Sequence, residues 1–193
     1  MFKKVIIVNL VILIAICISG CGMSDAEKHK DLEVKLYGFD LMVELGIENP
    51  YRAYCFDYHL NADMYEKSDT EKLDKKIKRA ESALEDIQKF KKALKSDKIK
   101  LEKGNDIDKD NEFEKLKSQY EDLAQQLEDM TQLKIKFLKN HRDGRQQSLS
   151  PEELKKIRNL KETNTCFDEN INNVNNAFSK IIRKYDIAGI NRV

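Results

Sequence analysis

The residues that can do chemistry are few and lie far apart in the sequence. Histidine occurs only at His29, His59 and His141. Asp57 lies two residues from His59, a spacing that does not place two side chains on one face of a helix. The chain has no Gly-x-Ser-x-Gly segment, no glycine-rich phosphate loop and no paired-histidine metal motif. We therefore expect neither an enzyme nor a bound cofactor.

One acidic segment matches the first half of a calcium-binding pattern. Acidic residues alternate at Asp106, Asp108 and Asp110, as in the first half of an EF-hand calcium loop. Such a loop needs glycine at its sixth position and glutamate at its twelfth, where this sequence has Asn111 and Lys117. A lysine at the twelfth position repels a cation, so we expect solvated turn residues and a helix cap here and no metal site.

The N-terminus has the organisation of an export signal. Lys3 and Lys4 precede a run of fourteen residues, 5–18, that is apolar apart from Asn9. A membrane-spanning helix needs about 20 apolar residues, so this run is short for one. Its length and its basic start are typical of a secretory signal peptide.

The apolar run ends in Ile18-Ser19-Gly20-Cys21, which resembles the lipobox of bacterial lipoproteins. The resemblance implies that diacylglycerol is attached to the Cys21 sulfur, that the chain is cleaved between Gly20 and Cys21, and that the new amine is usually acylated. Two or more acyl chains anchor a protein durably to a membrane. We therefore expect a signal peptide at 1–20, a lipidated tether at 21–31 and a cell-membrane location facing the extracytoplasmic side, on the outer surface or in the periplasm. The alternatives are an uncleaved anchor or a signal peptide with a chance cysteine.

Two further cysteines belong to the exported part of the chain. Cys17 leaves with the signal peptide, and Cys55 and Cys166 remain as an even pair. Export permits oxidation, so a disulfide between them is one hypothesis. The other is two separate thiols that pack as small hydrophobic groups, since the sequence does not show whether they meet.

The charge balance of the chain argues against nucleic acid as a partner. Lys and Arg number 35 and Asp and Glu 34, and the two signs are interspersed along the chain. A nucleic-acid-binding protein usually has a basic excess and a basic face, so we expect no nucleic-acid partner.

Residues 32–66 are predicted to form an N-terminal helical segment. Apolar residues Leu32, Leu36, Phe39 and Val43 recur at helical spacing, and Asn49-Pro50 predicts a break. An aromatic stretch follows, in which the candidate interaction residues are Tyr51, Tyr54, Tyr58 and Tyr65. Tyrosines are common in protein interfaces, but we favour the alternative that they fill the junction between helices.

Residues 67–193 contain three long amphipathic stretches with alternating steps of three and four. The predicted buried positions are Leu73, Ile77, Ala80, Leu84, Ile87, Lys91 and Leu94 in the first stretch, Phe113, Leu116, Tyr120, Leu123, Leu127, Met130, Lys134 and Phe137 in the second, and Ile157, Leu160, Asn164, Phe167, Ile171, Val174, Phe178, Ile181 and Tyr185 in the third. This spacing is typical of coiled-coil seams. The segment Ser150-Pro151-Glu152-Glu153 predicts a capping box at the start of the third stretch.

These patterns predict an all-α protein. Short connections favour antiparallel neighbours, so we expect an elongated antiparallel three-helix coiled-coil bundle with two additional N-terminal helices packed on it. A second copy of the chain is a further candidate for covering the seams.

The sequence leaves two main functions open, and a hydrolytic envelope enzyme is a third class that the missing catalytic motifs disfavour. The first is a lipid-anchored surface interaction or scaffold protein with a protein partner. The alternative is a ligand- or ion-binding accessory lipoprotein in envelope homeostasis or transport. A pocket with convergent polar groups favours the alternative.

Overall fold

The chain is mostly α-helical in the part that can be described. The computed structural model describes residues 24–56, 70–96, 111–144, 150–158, 160–188 and 190, with no side-chain description for 154, 157, 158 and 160–164. No strand occurs in these ranges, and the all-α prediction is confirmed. The helices are α1 (Asp25–Val43), which continues through a π-helical turn (Glu44–Glu48) into α2 (Asn49–Phe56), then α3 (Thr70–Leu94), α4 (Glu112–Arg142), α5 (Pro151–Arg158) and α6 (Leu160–Lys184).

A capping box fixes the start of α1. The backbone N–H of Ser24 donates to the Glu27 carboxylate over 2.8 Å, and the backbone N–H of Glu27 donates to the Ser24 hydroxyl over 3.4 Å. These two bonds satisfy donors that a helix N-terminus otherwise leaves open. Most of the predicted tether is therefore helical, and only residues 22–24 separate Cys21 from α1.

The break predicted at Asn49-Pro50 is wrong, because the helix continues past the proline. A proline inside an α-helix lacks an N–H, and its ring clashes with the carbonyl one turn earlier. The π-helical turn relieves this conflict by widening the helix just before Pro50. Its signature is the Asn49 N–H, which donates to the Glu44 carbonyl five residues back.

The contacts of α3 and α6 with α4 show that both run antiparallel to it. On the α3 side, Lys95 pairs with Glu121 near one end, and Arg142 pairs with Asp74 near the other. On the α6 side, Lys184 pairs with Glu112, and the Tyr120 hydroxyl donates to the Asn175 side chain.

The N-terminal helices form the fourth side of the same bundle. Phe39 contacts the rings of Phe113 on α4 and Phe178 on α6, and further along, Tyr51 bonds to Asp168 on α6. The segment α1–α2 therefore runs antiparallel to α6 and parallel to α4. The arrangement of three helices with two added on the outside is not confirmed, because α1–α2 contributes to the same core.

The burial pattern explains why four segments are needed. On α4 the buried set is wider than one seam, since it includes Ala124, Glu128 and Thr131 as well as the predicted positions. On α3 the structure buries Ala83 and Phe90, whereas the predicted Leu84 and Lys91 are half-buried. α3 and α4 thus each pack against more than one neighbour, and their buried stripes are broader than a coiled-coil seam.

A Schellman motif ends α6. Asp186 has a left-handed backbone with φ of 51°, and the Ile187 N–H donates to the Ile182 carbonyl over 3.1 Å. Ile187 is buried, as the hydrophobic contact of this motif requires.

This motif gives the first testable prediction. Replacing Asp186 by glycine is expected to raise the free energy of unfolding by about 1 kcal/mol, because the left-handed conformation costs a residue with a Cβ roughly that amount. In a domain of this size the change corresponds to an increase in Tm of about 2–4 °C, measurable by circular dichroism. A lower Tm for the Asp186→Gly variant would contradict the assigned motif.

Candidate interaction groove

An open groove of about 540 Å³ lies between α4, α5 and α6. Its apolar surface comes from Met130, Leu133 and Phe167. The described residues that line it are Gln126, Asp129, Met130, Gln132, Leu133, Lys136, Glu153, Lys156, Cys166 and Phe167. The groove thus combines an apolar floor with a charged rim.

Helical spacing places the α4 residues on one face. Gln126, Met130 and Leu133 recur at steps of four and three, so their side chains point in the same direction. The Asn170 side chain donates to the Gln126 side chain over 3.2 Å and joins α6 to α4 at one end of the groove.

At the other end of the groove, a charge pair joins α4 to α5. The predicted capping box at the start of α5 is confirmed, because the backbone N–H of Glu153 donates to the Ser150 hydroxyl and the backbone N–H of Ser150 donates to Glu153. The same Glu153 carboxylate pairs with Lys136 over 2.6 Å. The Lys136 ammonium lowers the pKa of Glu153, with the Ser150 backbone N–H adding to the effect, so the carboxylate is charged at neutral pH.

The groove has the chemistry of a binding surface. Half-buried Met130 and Leu133 supply apolar contact area, and methionine adapts its shape to different partners. Asp129, Lys136 and Lys156 supply both signs of charge at the rim, which suits an amphipathic partner. Among the described residues that line the groove, there is neither a nucleophile paired with a base nor a buried acid.

Two of the candidate tyrosines are core residues. Tyr51 and Tyr54 are 9% and 5% exposed, and the Tyr51 ring lies 4.5 Å from that of Phe167. Both side chains are thus buried where α2 packs on the bundle, and an interaction role for them stays a prediction. Tyr58 and Tyr65 lie outside the described residues.

A small polar cluster surrounds Tyr51 at the junction of α2 with α6. Its hydroxyl donates to the Asp168 carboxylate over 2.6 Å. Burial, and then this hydrogen bond, raise the pKa of Tyr51. Burial also raises the pKa of the Cys55 thiol one turn along α2. Both groups are therefore neutral at physiological pH, and the hydrogen bond between Tyr51 and Asp168 joins α2 to α6.

Lys134 is a buried cation with a structural partner. It is 3% exposed, and its ammonium donates to the Tyr54 carbonyl over 2.9 Å in the last turn of α2. It also lies 4.8 Å from the centre of the Tyr54 ring. The predicted seam position is thus buried, and its ammonium bonds to the backbone of α2.

Cys55 and Cys166 are free thiols, and the disulfide between them stays a prediction. Cys55 packs against the core and interacts electrostatically with Asp168. Residues two apart on a helix project about 160° from each other, so Cys166 points away from the Asp168 side and into the groove. This geometry favours two separate thiols, of which Cys166 is exposed.

The remaining predicted positions give no site in the described structure. Gly20, Cys21 and the acidic residues 106–110 lie outside the described residues. Lys117, at the twelfth position of the acidic pattern, is buried beside Glu114 with the charged atoms 3.3 Å apart. Within the described ranges, no three His, Cys, Asp or Glu side chains are grouped closely enough to hold a metal ion.

A polar network between α3 and α4 was not predicted. Glu128 is 9% exposed, and it accepts hydrogen bonds from Lys91 over 2.6 Å and from Gln88 over 3.0 Å. Lys91 also donates to Gln125. The hydrogen bonds from Lys91 and then Gln88 lower the pKa of Glu128 below its ordinary value of 4.5.

This network predicts a pH-dependent contribution to stability. Because the pKa of Glu128 is lower in the folded chain than in the unfolded one, its stabilisation is present above pH 4.5 and is lost as the pH falls through the folded-state pKa. The variant Glu128→Gln is expected to be about 1–2 kcal/mol less stable than the parent at pH 7, with the difference shrinking at pH 3. Urea unfolding at pH 7 and at pH 3 measures the free energies of unfolding of the parent and the variant. A difference between them that is larger at pH 3 than at pH 7 would contradict the stabilising role of the Glu128 network.

No family model, curated protein or solved structure matches this chain. Among the residues that the structure describes, no helix is both long enough and apolar enough to cross a membrane.

Proposed function

We propose that this chain is a lipid-anchored, extracytoplasmic protein whose helical bundle serves as an interaction or scaffold protein at the membrane surface. The Ile18-Ser19-Gly20-Cys21 segment after a short apolar run supports the location. The open groove between α4 and α6 supports the interaction role, and it is the observation on which the binding proposal depends.

The proposed architecture is an elongated helical bundle, in which α3 and α6 run antiparallel to α4, that presents this groove. Helices of 25–31 residues extend about 37–47 Å, enough to hold a binding face well above a lipid surface. Both signs of charge at the rim, on Lys136, Glu153 and Lys156, support a partner that is itself amphipathic, such as a helix of another protein.

A second candidate is the binding of a small ligand. The groove volume of about 540 Å³ lies within the range of about 300–1,000 Å³ typical of small-molecule sites. Its openness and its charged rim favour a protein partner.

The location is tested by changing the cysteine that carries the lipid. The variant Cys21→Ala is expected to remain unprocessed and to lose its place in the membrane-lipoprotein fraction, because no sulfur is present for the thioether. Fractionation and an immunoblot of the precursor and mature forms measure both effects. Normal maturation and membrane recovery of Cys21→Ala would contradict the lipoprotein assignment.

The groove is tested with a matched pair of substitutions in the lipidated protein. Leu133 is half-buried in the groove, whereas Leu41 is half-buried on α1, which contributes no residue to the groove. A photoactivatable cross-linker on the exposed Cys166 is expected to capture a protein in the parent and in Leu41→Asp but not in Leu133→Asp.

Equal cross-linking in Leu133→Asp and Leu41→Asp contradicts a binding role for the groove. If the parent captures no protein but native mass spectrometry finds a small molecule that is absent from Leu133→Asp, the second candidate is correct. Circular dichroism of both variants establishes that they are folded.

A further inference from the structure

The groove between α4, α5 and α6 is acidic at one of its two ends. This is the end where the Asn170 side chain bonds to Gln126. Asp129 lines the groove here, and Glu169 is exposed on α6 one turn from Cys166. A partner that enters the groove therefore meets negative charge at this end.

The other end of the groove is net basic. The charged side chains that the structure describes on α5 are Glu152, Glu153, Lys155 and Lys156, which balance. Lys136 of α4 adds one positive charge to them. Its bond to Glu153 uses one of the three N–H donors of the ammonium, so others remain for a partner.

This charge pattern is its own complement when two copies of the groove meet in antiparallel fashion. Asp129 and Lys136 are seven residues apart, which is about two helical turns, and both line the groove. A two-fold axis across the groove places each Asp129 opposite the Lys136 of the other copy. Parallel copies would instead place Asp129 opposite Asp129 and Lys136 opposite Lys136, so repulsion disfavours them. A two-fold pair uses the same surface patch on both copies.

The middle of the groove supplies the apolar contact for such a pair. Gln132 and Leu133 lie midway between Asp129 and Lys136, so the axis passes beside them and the two Leu133 side chains meet. Leu133 and Met130 are only half-buried in one copy. Association covers them, and the removal of apolar surface from water is the main driving force of protein association.

We propose that the groove binds a second copy of this chain, in an antiparallel pair whose two-fold axis passes beside Leu133. This inference rests on the interaction role proposed above and names the partner. The pair matches the acidic end of each groove with the basic end of the other, and such complementarity fixes the register of an interface. A partner of another sequence is the alternative, and the experiments below separate the two.

Cysteine cross-linking measures the pairing. Asn170 bonds to Gln126, so on the antiparallel helices Cys166 lies level with Met130. In the pair, the two Cys166 residues are about 8 Å apart along the bundle. The natively lipidated protein with Cys55→Ala is dispersed in enough detergent that micelles with two copies are rare. It is expected to form covalent dimers with a hexane-linked bismaleimide, and Leu133→Asp is expected to lose most of them.

Position 52 provides the matched control. The ring of Tyr51 on α2 lies beside that of Phe167 on α6, so Arg52 is at nearly the same height along the bundle as Cys166. Arg52 is exposed, and α2 contributes no described residue to the groove. The variant Arg52→Cys Cys166→Ser, also with Cys55→Ala, is expected to form few covalent dimers under the same conditions.

A mixing experiment tests the charges and the direction of the pair together. Asp129→Lys and Lys136→Glu each turn both charge contacts of the pair from attraction into repulsion. Each variant alone is expected to dimerise with a dissociation constant about tenfold higher than that of the parent. When the two variants are mixed in equal amounts, both contacts are attractive again, so the yield of covalent dimer is expected to recover. Circular dichroism establishes that both variants are folded.

The other outcomes overturn the inference. Equal cross-linking at positions 52 and 166 means random collision, and the absence of a covalent dimer at Cys166 means that the groove does not bind a second copy. A mixture that does not recover the dimer overturns the antiparallel register. The interaction role itself is judged by the photo-cross-linking of Leu133→Asp and Leu41→Asp. If that experiment captures a different protein in the groove and Cys166 gives no dimer, the proposed function is correct and the second copy is not its partner.

Discussion

Replacing Phe39 by alanine is expected to lower the free energy of unfolding by about 3–5 kcal/mol, as for other large aromatic residues in closed cores. Phe39 is 1% exposed, and its ring centre lies 5.0 Å from that of Phe113, 5.5 Å from that of Tyr120 and 5.4 Å from that of Phe178. All three contacts are edge-to-face, and together they join α1 to α4 and α6. Urea unfolding of the mature chain, followed by circular dichroism, measures the loss.

A neighbouring aromatic residue provides the control for Phe39. Tyr37 lies two residues away on α1 but is 39% exposed, and its hydroxyl bonds to the backbone of Ala188. The variant Tyr37→Phe removes that hydrogen bond alone and is expected to cost about 1 kcal/mol. If Phe39→Ala and Tyr37→Phe had equal effects, α1 would not be part of the central core.

Replacing Gly46 by alanine is expected to destabilise the bundle by about 3 kcal/mol, at the upper end of the usual cost of overpacking. A Cβ at position 46 lies 2.3 Å from the Cβ and 2.5 Å from the Cγ of Phe90, so α3 and the π-helical turn have to separate. The melting temperature and the free energy of unfolding of Gly46→Ala measure the effect.

The identity of the clashing atom gives a sharper test. Because the nearest atom is the Cβ of Phe90, the substitution Phe90→Ala leaves the clash in place and is expected not to restore the stability of Gly46→Ala. The control is Gly144→Ala, where no neighbouring atom of the described residues lies within 4 Å of the added Cβ and the positive φ of 69° opposes a side chain. That variant is expected to cost about 1–2 kcal/mol. A smaller loss for Gly46→Ala than for Gly144→Ala would contradict the close packing at Gly46.

The helices were predictable from the sequence because their buried residues recur at helical spacing. Phe113, Leu116, Tyr120, Leu123 and Leu127 of α4 are all buried as predicted. The number of packed helices was not predictable, since an apolar stripe shows that a helix has a partner but not how many it has.

The course of the N-terminal helix was predicted wrongly for a physical reason. Proline usually ends a helix, and a π-helical turn that accommodates Pro50 leaves no pattern in the sequence. In contrast, the capping box at Ser24 could have been predicted, because it follows the same Ser-x-x-Glu pattern that predicted the one at Ser150.

The candidate groove could be predicted only in part. Met130 and Phe167 were predicted as buried seam positions, but the gap beside them depends on how α4, α5 and α6 diverge in space. The Glu128 network could not be predicted from the sequence either, because a glutamate in a highly charged helix is usually solvated. Its burial follows from the position of Lys91 on the facing helix.

The central claim is that the chain is tethered to a membrane by lipid on Cys21. Intact-mass spectrometry of the natural protein, extracted from membranes with detergent, tests it most directly. The predicted mass is that of residues 21–193 with a diacylglycerol group and, where the amine is modified, one further acyl chain. A mass that still includes residues 1–20, or a mature chain with an unmodified Cys21, would contradict the account.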